Sequence, residues 1–206
     1  MSEIPEAAER VAKLLARAGL CSRRDAERWI AAGRVSVDGR VLTSPAVAVT
    51  AANDVRVDGT PLPSPERARL WRYHKPAGLV TTHRDEKGRP TVFEALPKEL
   101  PRVISVGRLD LTSEGLLLLT NDGAVARRLE LPATGWLRRY KVRVHGEVDP
   151  DRLAALEKGV TIEGVAYGRS APASSGSRAA TPGSRWLCAR ARTARSAACS
   201  SISGCR

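Results

Sequence analysis

Arg108 and Asp110 stand two residues apart in the string Val106-Gly-Arg-Leu-Asp-Leu-Thr-Ser-Glu-Gly-Leu-Leu-Leu-Leu-Thr-Asn-Asp-Gly123. A carboxylate there can act as a nucleophile or base of low pKa. It can equally close a salt-bridged turn before a buried strand, and the tetrapeptide alone leaves both open. A second constellation is cationic: Lys13, Arg17, Arg23, Arg24, Arg28 and Arg34 fall within about twenty residues. Arg24 and Arg28 are four apart and share a helix face, opposite Trp29 and Ile30. Such a face is either a solvated basic surface or a track for phosphates, whose oxygens suit guanidinium forks. His74, His83 and His145 are scattered and read as solvated or packing residues. Cys21 is alone in the body of the chain, and Cys188, Cys199 and Cys205 lie near its end with no zinc-finger spacing.

The elements that must position these residues follow from periodicity. Residues 9–18 read as a helix with Val11, Leu14, Leu15 and Ala18 on one face, stopped by Gly19. Ser22 caps a second helix, with Asp25 in a capping-box position and Gly33 as the stop. Val35 and Val37 alternate with polar residues before Asp38-Gly39, a hairpin signal, and a similar unit recurs at residues 54–59. Residues 61–69, rich in Pro and charge, read as a linker. A second unit starts at Leu70, with strands expected at 79–82, 103–106, 139–145 and 160–167. A buried central strand is expected at 116–119, and helices at 124–131 and 150–158. Strands mixed with short helices suggest an α+β chain.

The formal net charge of +12 in 206 residues points to a polyanionic partner. Seven of the 34 basic residues, and none of the 22 acidic ones, lie from Arg169 onward. The preceding 168 residues therefore carry 27 basic and 22 acidic groups, a net +5, so most of the excess belongs to the tail. That tail is Ala, Ser, Arg, Gly and Cys with almost no aliphatic residues and no period, and it reads as disordered. No apolar run reaches 18 residues and residues 1–10 lack an apolar signal core, so a cytoplasmic chain is expected, with no membrane association.

The longer strings are more specific than their parts. VAKLLARAGLCSRRDAERWIAAGRVSVDGRVL resembles the S4 domain, an RNA-binding module of two helices on a small sheet, over residues 8–63. The resemblance places Lys13, Arg23, Arg24, Arg28 and Arg34 against RNA. The Asp110 string resembles the catalytic signature of the RsuA/RluB-type pseudouridine synthases. HKPAGLVTTHRDEKGRPTVFEALP (residues 74–97) and RRYKVRVHGEV (138–148) match the same family in the same order. The resemblance implies an isomerase of ribosomal RNA, on the large-subunit branch, working as a monomer on rRNA or an assembling subunit, with no cofactor or metal. It implies that Asp110 acts on the uridine so that the glycosidic bond breaks and the uracil rejoins through carbon. It implies that Tyr140 stacks on the base and helps remove the final proton. Arg108 would prop the RNA open once the target is flipped out of the stack. Lys75, in the family's Lys-Pro-x-Gly motif, is read as structural support. The expected organisation is an S4 domain, then an incomplete mixed, mainly antiparallel sheet domain at 70–168, then an aberrant tail at 169–206.

One family element is absent. Members carry a late stretch like Glu-Gly-Lys-Asn-Arg-Glu-Val-Arg-Arg, whose lysine pairs with the catalytic aspartate. Here that place holds RWLCARARTARSAACSSISGC (residues 185–205). With GC-rich codons read one nucleotide out of frame, this string can spell the missing motif. A frameshift near residues 167–169 accounts for the arginine surplus and the three tail cysteines. The alternative function is an RNA-binding S4 protein whose catalytic domain is inactive because the motif is lost.

Overall fold

The computed structural model describes residues 8–64, 66–145, 149–158, 160–162, 165–167, 170–178 and 184–191. Strand β1 (Glu9–Arg10) leads into α1 (Val11–Arg17) and α2 (Arg23–Ala31). Ser22 caps α2: its Oγ accepts the Asp25 amide at 3.1 Å and donates to the Asp25 carboxylate at 2.6 Å. Five short strands follow, β2 (Val35–Val37), β3 (Arg40–Val41), β4 (Ala48–Val49), β5 (Val55–Val57) and β6 (Thr60–Pro61). β4 pairs with β1, and the other four form an antiparallel sheet in the order β3-β2-β5-β6. Both hairpins turn on Asp-Gly: Asp38 and Asp58 have φ +50°, and Gly39 and Gly59 have φ +79°. Two consecutive left-handed residues match the strand twist, and Asp-Gly is a pair that tolerates them. Val11, Leu15, Ala26, Ile30 and Val35 are fully buried between helices and sheet.

The next sheet is β7 (Leu70–Lys75), β8 (Ile104–Val106) and β9 (Gly115–Thr120), antiparallel in the order β7-β9-β8. β9 is central, as the apolar run suggests, but only one face is closed. Leu117 and Leu119 join Val92 and Val103 in a core, whereas Leu116 on the opposite face is 65% exposed. The expected strand at 79–82 is reduced to a single parallel bridge, Val80 to Thr91, and the strands that pair with β9 are β7 and β8. The 79–82 segment instead spends its polar groups on a neighbouring loop.

Helix α3 (Gly123–Glu130) follows, its first turn capped by Asp122, whose Oδ1 accepts the amides of Ala124 at 2.6 Å and Val125 at 3.1 Å. The chain divides into two compact units, residues 1–127 and 128–206. The division does not fall in the linker, because Asn121 pins the linker's end. Its carboxamide accepts the Arg69 amide at 2.8 Å and donates to the Arg67 carbonyl at 3.0 Å.

The second unit holds a 3-10 turn (Pro132–Thr134), β10 (Arg138–His145), α4 (Pro150–Ala155) with a 3-10 extension (Leu156–Lys158), and the hairpin β11 (Val160–Ile162) and β12 (Val165–Tyr167). Two further strands, β13 (Ser170–Arg178) and β14 (Ser184–Ala191), lie in the segment whose composition suggests disorder. β14 pairs along all of β10, and β13 pairs on its far side. Ladder bonds use main-chain groups that every residue but proline supplies, so an eight-residue strand can template a partner poor in aliphatic residues. Pro172 sits on the outer strand, where a missing donor costs least. The last part of the tail, 192–206, with Cys199 and Cys205, lies outside the described residues, as do residues 1–7 and the break at 168–169.

Candidate active site and RNA-facing surface

The loop bearing Arg108 and Asp110 runs from the end of β8 to the start of β9, beside the end of β7, where Lys75 faces Gly115 in register. Gly107 (φ +74°) and Gly115 (φ +122°) let the chain leave one strand and enter the next. Lys75 is completely buried. Its ammonium donates to three main-chain carbonyls: Ser113 at 2.8 Å, Asp110 at 3.0 Å and Pro76 at 3.1 Å. Burial pushes its pKa down, and the negative charge of Asp110 pulls it back up. The Ser113 amide also donates to the Asp110 carbonyl at 3.1 Å, and the Gly78 amide to the Leu111 carbonyl at 2.7 Å. The loop backbone is thus tied down from the β7 side.

The Asp110 side chain is left outside this net. Arg108 and Asp110 are both exposed, and among the described residues no ion pair joins them. The salt-bridged turn is therefore not what this loop is. Its carboxylate faces solvent from a backbone held by buried donors, an arrangement suited to presenting a nucleophile or base. Replacing Lys75 with Met should cost at least about 2 kcal/mol in urea unfolding, because carbonyls ordered around one donor lose it. An unchanged midpoint would mean that water substitutes for the ammonium.

Tyr140 belongs to the second unit, half-buried on β10 opposite Ala189 of β14. His83 stacks on Phe93 with ring centroids 3.5 Å apart, a packing role, and burial lowers its pKa, helped by the positive charge of Arg102. His74 is exposed on β7. No cluster of three metal-ligating side chains occurs among the described residues.

The cationic surface sorts into two classes. Lys13 pairs with Glu9 at 3.0 Å, and Arg17 with the same carboxylate. Arg28 pairs with Asp25. Arg34 holds Asp58 through Nε at 3.0 and 3.1 Å and lies 4.9 Å from the Trp29 ring centre. That bond pulls the Asp58 carboxyl below its usual range. Arg34 therefore ties α2 to the second hairpin turn, a task its sequence position does not announce. Arg23 and Arg24 are exposed and make no ion pair among the described residues. Arg23 reaches toward the start of α3, its Nη2 3.8 Å from where a side chain on Gly123 would start.

Two helices on a small hairpin sheet, followed by a sheet that presents one aspartate on a pinned loop, fit a binding module joined to a catalytic domain. Comparison with known proteins agrees. Residues 9–55 match the S4 domain family, and residues 69–195 match the RNA pseudouridylate synthase family. An RNA pseudouridine synthase of Rickettsia conorii is 51% identical over 158 residues, which cover 77% of this chain and 68% of that protein. The ribosomal large subunit pseudouridine synthase B of Salmonella typhi is 47% identical over 161 residues, covering 75% of this chain and 55% of that one. A crystal structure of a pseudouridylate synthase superposes with a TM-score of 0.56 at 22% identity, over 90% of this chain and 78% of that one, which speaks for the fold. This chain belongs to the RNA pseudouridine synthase family and carries an S4 domain at its N-terminal end.

Thr81, Ser113 and Gly78 were not legible as site residues. Their contacts reach 28, 38 and 33 positions along the chain, and only the Lys-Pro-x-Gly resemblance hinted at support from this segment.

Proposed function

We propose that the chain isomerises a uridine of large-subunit ribosomal RNA to pseudouridine, as a cytoplasmic monomer needing no cofactor. The observation that carries this is the exposed, unpaired Asp110 carboxylate on a backbone clamped by Lys75. In this reading Asp110 acts on the flipped-out uridine, the bond from the uracil nitrogen to C1′ breaks, and the base turns. C5 then bonds to C1′, the proton on C5 is lost to solvent with help from Tyr140, and the freed N1 takes up a proton, so the product is an isomer of the uridine. Arg108 fills the space the nucleotide vacates, because the bond cannot be remade inside a stacked helix. The S4 helices hold the RNA electrostatically. The substrate branch rests on similarity to the large-subunit enzymes, of which this chain spans just over half the length. Tritium release from rRNA labelled at uridine C5 tests the reading, and absence of release from every rRNA fragment with a restored C-terminal motif would overturn it.

A second reading, an RNA-binding protein with an idle catalytic domain, is favoured by one observation: residues 185–205 lack the lysine-bearing family motif. Both readings require RNA affinity. Arg24→Ala should lower the slope of log K against log salt by about 0.7–0.9, one phosphate contact. Arg28→Ala should lower it less, because Arg28 is engaged by Asp25. The pair Arg24→Ala with Arg28→Ala should lower the slope by roughly 1–2. Equal slopes in all variants would turn this helix face away from RNA.

A further inference from the structure

We propose that Thr81 is a positioning residue for the isomerisation, its hydroxyl setting where the Asp110 carboxylate stands. The proposal rests on the reading of Asp110 as the reacting group. Thr81 is only 7% exposed. Its Oγ1 donates to the Leu109 carbonyl at 2.8 Å and accepts the Leu109 amide at 3.3 Å. One side chain thus satisfies both main-chain groups of the residue immediately before Asp110. A hydroxyl is suited to this, having one donor and two acceptor sites.

Thr81 is itself fixed from behind. The amide of the preceding residue, Val80, donates to the Pro90 carbonyl at 3.0 Å, and the Val80 carbonyl accepts the Val92 amide at 2.9 Å. Val92 is fully buried in the core against which Leu109 packs. The three residues around the carboxylate then have three separate holders. Thr81 takes Leu109, Lys75 takes the Asp110 carbonyl, and the Gly78 amide takes the Leu111 carbonyl. Of these, the Thr81 hydroxyl holds a residue at two points, so it fixes the direction in which the peptide enters Asp110. Rate depends steeply on such placement, and an error of about 1 Å can cost ~100-fold.

Valine keeps the shape of threonine and removes the hydroxyl; serine keeps the hydroxyl. In the 206-residue chain, Thr81→Val should speed hydrogen exchange of segment 107–114 while leaving the β9 core segment unchanged, and Thr81→Ser should restore protection. In the chain with its C-terminal family motif restored, Thr81→Val should lower kcat by roughly 10- to 100-fold with KM within about twofold, and Thr81→Ser should recover most of the loss. Thr81→Cys, a milder change with a weak donor, should fall between the two and serves if the valine variant folds poorly. Unchanged exchange and kcat in Thr81→Val, or a serine variant as slow as the valine one, would overturn the proposal, as would a loss carried wholly by KM. If Asp110→Asn is dead while Thr81→Val is normal, this inference alone fails. If Asp110→Asn keeps turnover, the assignment of the site fails with it.

Discussion

Asp110→Asn should abolish pseudouridine formation, lowering tritium release by roughly 10⁴-fold or more, as loss of an essential nucleophile does. RNA affinity should stay within about twofold. The expectation is sharp because the loop does not depend on this side chain. The bonds from Lys75 and Ser113 all end on main-chain oxygens, and Asn keeps every one of them. Asn also matches the size of Asp, and the site is exposed, so no cavity or clash arises. What disappears is the charge and the ability to attack or take a proton. The cations proposed to face RNA, Arg23 and Arg24, lie on α2 and are untouched. Release near the parent rate would remove Asp110 from the chemistry. A parallel fall in RNA affinity would instead make it a binding residue.

The second large effect concerns the C-terminal segment. The 206-residue chain should turn over at least ~100-fold more slowly than a version in which residues 185–205 are replaced by the motif obtained from the shifted frame. In the family this motif supplies a lysine to the catalytic aspartate, and among the described residues no cation pairs with the Asp110 carboxylate. Lys75 lies close enough to feel the Asp110 charge but is bonded to main-chain carbonyls, so no ion pair among the described residues fixes the carboxylate's orientation. The alignments with the Rickettsia and Salmonella proteins take in 158 to 161 residues, about three quarters of the chain. The family match nevertheless runs to residue 195, and β14 is a full partner of β10. The replacement is therefore expected to change turnover far more than secondary structure. Sequencing the gene across these codons checks the origin of the segment. Equal single-turnover rates for the two versions would show that the present tail serves the site by another route.

The features legible in the sequence are those whose causes are local. Ser22 and Asp25 lie three residues apart and form their cap with no outside help. Asp38-Gly39 and Asp58-Gly59 adopt left-handed pairs because of what those residues are. The apolar spacing of residues 11–30 selects the buried face of both helices, and the Gly-Arg-Leu-Asp string marks the loop. Side-chain partnerships across long separations were not legible, since pattern carries no information about which distant group meets which. Composition reads residues 170–178 and 184–191 as disordered, whereas both pair as strands, because pairing draws on backbone groups that composition does not report.

By itself, then, the sequence determined the two-helix module and the α+β class in short-range signals, and the resemblance of its longer string singled out Asp110. The tertiary structure decided that Arg34 serves Asp58 and Trp29, and that Leu116 stays exposed on an otherwise apolar strand. It also decided that Lys75 and Thr81, 35 and 28 residues away from the groups they bind, hold the Asp110 loop. The reason is common to all of these. A charge, a methyl or a hydroxyl is committed only when packing brings a partner within about 3 Å and removes the water that would otherwise compete for it.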